Sequence, residues 1–352
     1  MPSVGPVATA LPPNRLAQDE LRAVADQVLP DSPGKAGILE VFGNARIDGR
    51  NLAMPVEWYL APHGFKERNE AFAQAGLDLV EAAARDALAK SGLAPSDLDA
   101  VVMVCTTGIA TPSLEARLAN RIGLRPDVKR VPVFGLGCAG GVAGLARAAE
   151  LASAGARHVL LVAMELCSLS FDITTALGVG GGIDKKSLVA ASLFSDGCAA
   201  AVVSAGEGPL RFVAGASHLF PRTERVMGWD VADDHLEVVL SPGIPDLVRA
   251  EMRGVVQPLL DRANHGRAPD HWVLHPGGAR VVDAYKEGLG LRGDELRFTE
   301  ATLRAYGNMS SPTALFVLAR AQADGALRPG QTALLGALGP GFAAELALLR
   351  AS

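Results

Sequence analysis

Residues 129–166 read KRVPVFGLGCAGGVAGLARAAELASAGARHVLLVAMEL, and the succession of patterns inside this stretch decides the fold. The apolar run Val131-Pro132-Val133-Phe134 predicts a strand, the glycines between 135 and 144 a sharp turn, and Leu145 to Leu151 a helix. Gly155 stops that helix before a second apolar run ending at Leu166. Strand, turn, helix and strand make a βαβ crossover, which calls for a parallel sheet covered by helices. Upstream, LDAVVMVCTT (98–107) predicts another short buried strand, and SLEARLANRIGL (113–124) a helix closed near Gly123. Downstream, SLFSDGCAAAVVSAGEG (192–208) predicts a strand pair ending at a glycine-rich boundary near 205–210, and GVGGGIDKK (178–186) a loop or hairpin tip.

The second half repeats this style. A helix is expected from about Pro245 to Arg262, a strand in HWVLHPGG (271–278) and a helix in ARVVDAYKEGLGL (279–291). The turn YGNMSSP (306–312), the helix TALFVLARAQADGAL (313–327) and closing strands QTALLGAL (331–338) and FAAELALLR (342–350) follow. No close sequence repeat is visible, but the ordering predicts a duplicated α/β chain with halves 1–208 and 209–352.

The chain has 352 residues and is 49% hydrophobic but only 5% aromatic, so Ala, Val, Leu and Gly must fill the interior, as in close-packed helices on parallel strands. A net charge of −5 offers no basic footprint for nucleic acid, and no run approaches the roughly 18 apolar residues of a membrane span. No Lys or Arg precedes Arg15 and prolines interrupt the first apolar residues, so a secretory signal is not expected and a cytoplasmic location is. Cys105, Cys138, Cys167 and Cys198 fall one per segment without ligand spacing, so neither a metal site nor disulfides are expected.

Each cysteine then needs its own explanation. Cys138 lies in the turn before a helix, where free N–H groups and the positive dipole end are expected to favour a thiolate, and the flanking glycines to leave room for a bulky thioester. The alternative is a small buried cysteine in a Gly/Ala-packed crossover. A nucleophilic cysteine needs a base, and His275 in WVLHPGGARVV is the histidine in a comparable strand-end, glycine-rich context; the alternative is an ordinary strand-terminal histidine. Asn308, in YGNMSSP, reads either as a donor to developing negative charge or as a turn and capping residue.

Taken together, GCAGG with Cys138, HPGG with His275, YGNMSS with Asn308 and the closing loop GALGPGF (336–342) resemble the type III polyketide synthases, the chalcone and stilbene synthase superfamily. VCTTGIATPS, GLRPDVKR, GARHVLLVAMELCSLSF, SLFSDGCAAAVV and SPGIPDLV extend the resemblance in order over nearly the whole chain. The resemblance implies a thiolase-like duplicated αβαβα sandwich, a homodimer, and an acyltransferase that works with Cys138, His275 and Asn308 and without a bound cofactor. Acyl-CoA and malonyl-CoA would be its substrates. It further implies that Phe194 gates the acyl cavity, that Leu240 replaces a second gate and widens it, and that Cys167, Ser170 and Ser310 line a cyclisation pocket. Thr111 would lie near the dimer interface and Gly339 in the closing loop, where Ala337 replaces the family's first glycine. Arg46 and Arg50 are the basic residues offered to the CoA phosphates.

MGWDVADDHLEVVLSPG (227–243) is more similar to bacterial members making alkylpyrones, alkylresorcinols or tetrahydroxynaphthalene than to plant enzymes, and a fatty acyl starter with a pyrone or resorcinol product is the expectation. The competing assignment is a β-ketoacyl-ACP synthase of the third type, which performs one condensation. In that family the histidine is followed by Gln-Ala-Asn, not by the Pro-Gly-Gly present here.

Overall fold

The computed structural model describes residues 1–29, 35–170, 185–233 and 235–352; most of the expected loop at 178–186 lies outside them. The strands are β1 Pro2–Val4, β2 Ala8–Ala10, β3 Asn14–Ala17, β4 Gly49–Leu52, β5 Ala100–Val104, β6 Lys129–Val133 and β7 His158–Leu166. They continue with β8 Asp196–Ala205, β9 Leu210–Leu219, β10 Met227–Val231, β11 Leu236–Leu240, β12 His271–Leu274, β13 Thr332–Gly339 and β14 Ala343–Ala351. Among the described residues, ten strands form one sheet in the order β12-β13-β14-β9-β1-β8-β7-β5-β6, with β2 also on β8.

The duplication expected from element order is visible in the pairing. In the first half β5 runs parallel to β7, β7 antiparallel to β8, and β8 antiparallel to β1. In the second, β12 runs parallel to β13, β13 antiparallel to β14, and β14 antiparallel to β9. The two copies meet where β1 pairs with β9. The crossover of residues 129–166 is parallel as anticipated, with β6 and β7 on either side of β5. Pro132 is tolerated because β6 is the edge strand.

Strand alternation divides the interior into three cores. Leu160, Val162 and Met164 of β7 pack with Leu79, Val80 and Ala83 of the helix Phe65–Ser91, while Val159, Leu161 and Ala163 face a central layer. That layer is made by the helices Gly140–Ser153 and Thr313–Ala323, which share one core with inner-facing residues of β13 and β14. The outer face of the second half packs on the helices Ile244–Ala263 and Ala279–Leu289. Helix, sheet, helix, sheet, helix is the αβαβα sandwich of the thiolase-like fold.

Glycines set the spacing of the central layer. A Cβ on Gly140 would lie 2.5 Å from Val104, and one on Gly144 2.7 Å from Val104 and 2.8 Å from Leu161. Here the small residues of the helix bring it down on strands β5 and β7, while Gly135, before the turn, has open space around it. Residues 192–208 also differ from expectation. A helix, Lys185–Leu193, ends just before Phe194, and a single ten-residue strand, β8, replaces the strand pair.

Candidate active site

Cys138 sits on the single 3-10 turn Gly137–Ala139, between β6 and the central helix Gly140–Ser153. Gly137 takes φ 46° there, and its N–H donates to Thr106 Oγ1 at 3.1 Å, which ties the turn to the end of β5. The corresponding turn of the second half, Asn308–Pro312, precedes the other central helix and faces it across the gap. The Cys138 thiol points at Asn308 Oδ1, 3.9 Å away, and the Ser310 N–H donates to the same oxygen at 2.8 Å. Asn308 Nδ2 reaches the Gly277 carbonyl at 3.4 Å, which joins the asparagine to the turn carrying His275. The sandwich thus brings Cys138, Asn308 and the HPGG turn, which lie far apart along the chain, to one place.

Electrostatics here run against the expected thiolate. Cys138 is 6% exposed, and burial pushes its thiol up to about 11, against the pull of the Ser310 and Asn308 side chains. His275, at the C-terminal end of β12, is 1% exposed, and burial pushes its imidazole down to about 3. Desolvation is the largest cause of both shifts and favours the neutral form of each group. Both ring nitrogens of His275 lack a hydrogen-bond partner among the described residues. Buried polar atoms without partners are costly, and a bound water or substrate atom would satisfy them.

Beside Cys138 lies a cavity of about 30 Å³ bounded by Phe194, Trp229, Leu240, Ser310 and Pro340. Phe194 and Leu240 both border this cavity. Trp229 lines the same space, with its ring centroid 6.3 Å from that of Phe194. Trp229 and Met227 were missed in the sequence; the alternation of Met227, Trp229 and Val231 along β10 was the available signal. Cys167 and Ser170 are buried, with the Ser170 hydroxyl donating to the Cys167 carbonyl at 2.7 Å, and neither borders this cavity. Gly339 backs the nucleophile turn: a Cβ there would lie 2.4 Å from the Leu136 carbonyl, so Pro340, not Gly339, faces the cavity. Thr111 is exposed on a separate loop before the cis peptide to Pro112. Arg46 is held by Asp283 in a two-point ion pair at 2.8 and 2.9 Å, and Arg50 is 1% exposed, which removes Arg50 as a CoA contact.

Glu165 was read only as part of strand β7, yet it joins the two halves of the site. Its Oε2 accepts from Thr106 N, Thr107 N and Thr107 Oγ1 at 2.9, 3.0 and 2.8 Å, and its Oε1 from Ser311 Oγ at 2.7 Å. A carboxylate inside an unbroken apolar strand was the overlooked signal, since such a group must find partners. Burial pushes Glu165 up to about 7. Its folded value exceeds the unfolded one, so the native state binds more protons between the two, and stability falls as pH rises from about 4.5 through 7. Glu165→Gln keeps the acceptor oxygen and lacks the titration. Its thermal midpoint is expected to gain on wild type by a few degrees between pH 5 and pH 8 in calorimetry; parallel curves would refute the assignment.

Among the described residues, no helix is long and apolar enough to cross a membrane and no group of three His, Cys, Asp or Glu could hold a metal ion. Comparison with known proteins fixes the class. The family model described as chalcone and stilbene synthases, N-terminal domain, matches residues 57–207, and the C-terminal domain model matches 211–352. The chain belongs to this family and is a type III polyketide synthase, an acyltransferase-type condensing enzyme. It is 40% identical over 359 aligned residues, 99% of this chain and 93% of the relative, to a 1,3,6,8-tetrahydroxynaphthalene synthase of Streptomyces peucetius subsp. caesius. The crystal structure of the 1,3,6,8-tetrahydroxynaphthalene synthase of Streptomyces coelicolor A3(2) superposes with TM-score 0.92 at 29% identity, covering 99% of both chains. A fungal type III polyketide synthase superposes with TM-score 0.89 at 25% identity over the full length of both.

Proposed function

We propose that the enzyme extends an acyl group held on Cys138 by repeated decarboxylative condensation with malonyl-CoA, and that malonyl-CoA also supplies the primer. The observation that carries this reading is the meeting of Cys138 with Asn308, beside the partnerless nitrogens of buried His275. His275 takes the thiol proton as sulfur attacks the acyl-CoA carbonyl, and CoA leaves with that proton. Thiolate and imidazolium arise together, so each offsets the desolvation that opposes the other alone. Malonyl-CoA then loses CO₂, and the electron pair of the broken bond becomes a thioester enolate. Its oxygen accepts hydrogen bonds from His275 and the Asn308 amide that strengthen as charge develops. The enolate carbon attacks the thioester carbonyl, a carbon–carbon bond forms, and the carbon–sulfur bond to Cys138 breaks. The lengthened chain returns to Cys138 from CoA and the cycle repeats until the product cyclises. No resident cofactor enters these steps.

A short primer suits the small cavity closed by Phe194 and Trp229, since a long alkyl chain would require these side chains to move. The tetrahydroxynaphthalene synthases among the relatives favour the same choice over the fatty acyl starter and alkylpyrone or alkylresorcinol product expected from sequence. The homodimer belongs to this reading as well. Edge strand β6 leads into Phe134, 63% exposed, and the Thr111 loop carries Ile109, 55% exposed, an apolar margin that a second copy would cover. The test is incubation with malonyl-CoA alone and with acyl-CoA primers from acetyl to palmitoyl, read by mass spectrometry. A hydroxylated aromatic from malonyl-CoA alone is expected. Alkylpyrones or alkylresorcinols formed only with long primers would overturn the choice of primer, and activity only with carrier-bound malonyl would overturn the iterative synthase.

A further inference from the structure

We infer that Arg50 is a positioning residue that fixes the Phe194 wall and the Asn308 turn without touching the cavity. The inference rests on the active-site assignment above. Arg50 lies on β4, is 1% exposed, and does not border the space beside Cys138. Its Nη1 donates to the carbonyls of Ala191 at 2.6 Å and Phe194 at 2.8 Å. Its Nη2 donates to the Ser192 carbonyl and to Gln18 Oε1. Gln18 Nε2 makes a second bond to the Ser192 carbonyl at 3.2 Å and one to Phe42 at 3.0 Å.

The carbonyls held in this way end the helix Lys185–Leu193, where the last turn has no intrahelical donors and the dipole is negative. A planar guanidinium presents donors in a fixed fork and can bind three carbonyls at once, which an ammonium cannot match in geometry. Asp196, fully buried nearby, adds attraction and is itself held by Ser168 N at 2.8 Å and Ala53 N at 2.6 Å.

The gripped segment leads directly to the site. Asn308 N donates to the Leu193 carbonyl at 3.0 Å, and Ser195 N donates to the Asn308 carbonyl at 2.9 Å. Leu193 and Ser195 bracket the Asn308 backbone, and Phe194 between them forms the cavity wall. Arg50 therefore sets, through one short stretch of chain, the position of both the wall and the amide opposite Cys138. Misplacement of catalytic groups by about 1 Å can cost roughly 10²-fold in rate.

The experiment compares wild type with Arg50→Lys, Arg50→Met and Gln18→Met. It measures kcat, KM for malonyl-CoA, the ratio of CO₂ released to polyketide formed, and the product chain-length pattern, all per alkylatable Cys138. Expected for Arg50→Lys is a fall in kcat of about 10-fold or more, KM within about 2-fold, a raised CO₂-to-product ratio and a shift to shorter products. Arg50→Met should go further and Gln18→Met less far in the same direction. If Arg50→Met does not fold, the lysine and glutamine variants decide the matter. An unchanged ratio and product pattern, with activity loss tracking only the alkylatable fraction, would reduce Arg50 to a stabiliser of the fold and overturn the inference. Failure of wild type itself to make polyketide would instead refute the functional reading.

Discussion

Cys138→Ala is expected to abolish polyketide formation, by about 10⁴-fold or more in turnover, while leaving a folded protein. The nucleophile holds the growing chain through every cycle, and no other described thiol borders the cavity: Cys167 and Cys198 are fully buried elsewhere. Removing one buried sulfur costs stability of order 1 kcal/mol, so the thermal midpoint should shift only slightly. Decarboxylation discriminates between roles. His275 and Asn308 stay in place in the alanine variant, so slow release of CO₂ from malonyl-CoA should persist above the buffer rate. Asn308→Leu removes an enolate donor and should lower both decarboxylation and condensation by about 10²- to 10³-fold. Undiminished product from Cys138→Ala would end the assignment of the nucleophile.

The second large effect is expected from a single methyl group. A Cβ on Gly141 would lie 2.1 Å from the Ser311 carbonyl oxygen, backbone against backbone, and no side-chain rotation relieves it. Gly141→Ala must push the helix Gly140–Ser153 away from the Asn308–Pro312 turn. The Cys138 to Asn308 approach spans that gap, and the same turn carries the Ser311 bond to Glu165 of β7. Overpacking of this kind costs about 1–3 kcal/mol or more. A thermal midpoint lowered by several degrees, with condensation reduced at least about 10²-fold in the folded fraction, is the expected outcome. Near-normal activity would mean that the two turns do not need their close approach. Exposed Gly43, which has open space around it, is the matched control.

How legible this was in the sequence depended on range. The crossover of residues 129–166, the helix stopped by Gly123 and the closing strands rest on local periodicity, and they stand where expected. The site motifs were legible because glycine-bordered turns punctuate the chain at Cys138, His275 and Asn308. The long helix Phe65–Ser91 and the helix Arg297–Tyr306 carried periodic patterns that simply went unread. Other features had no local signal. The C-terminal carbonyls of the helix at residues 185–193 are satisfied by Arg50 and Gln18, more than 130 residues earlier, which no local pattern shows. Arg50 looked like a surface charge for phosphates because sequence does not show that its partners are carbonyls. The burial that raises the Cys138 thiol is hidden for a related reason: a helix end is visible in sequence, and the degree of burial is not.

The pairing of β1 also bears on how the chain is made. Residues 2–4 lie between β8 and β9 and close the seam joining the two repeats, with partners at Val203–Ala205 and Leu210–Arg211. At ribosomal speeds of 5–20 residues per second, those partners emerge roughly 10 to 40 seconds after the residues that need them. Strand β1 cannot complete its pairing before residues 203–211 have emerged, so the seam closes only when the second repeat begins to appear.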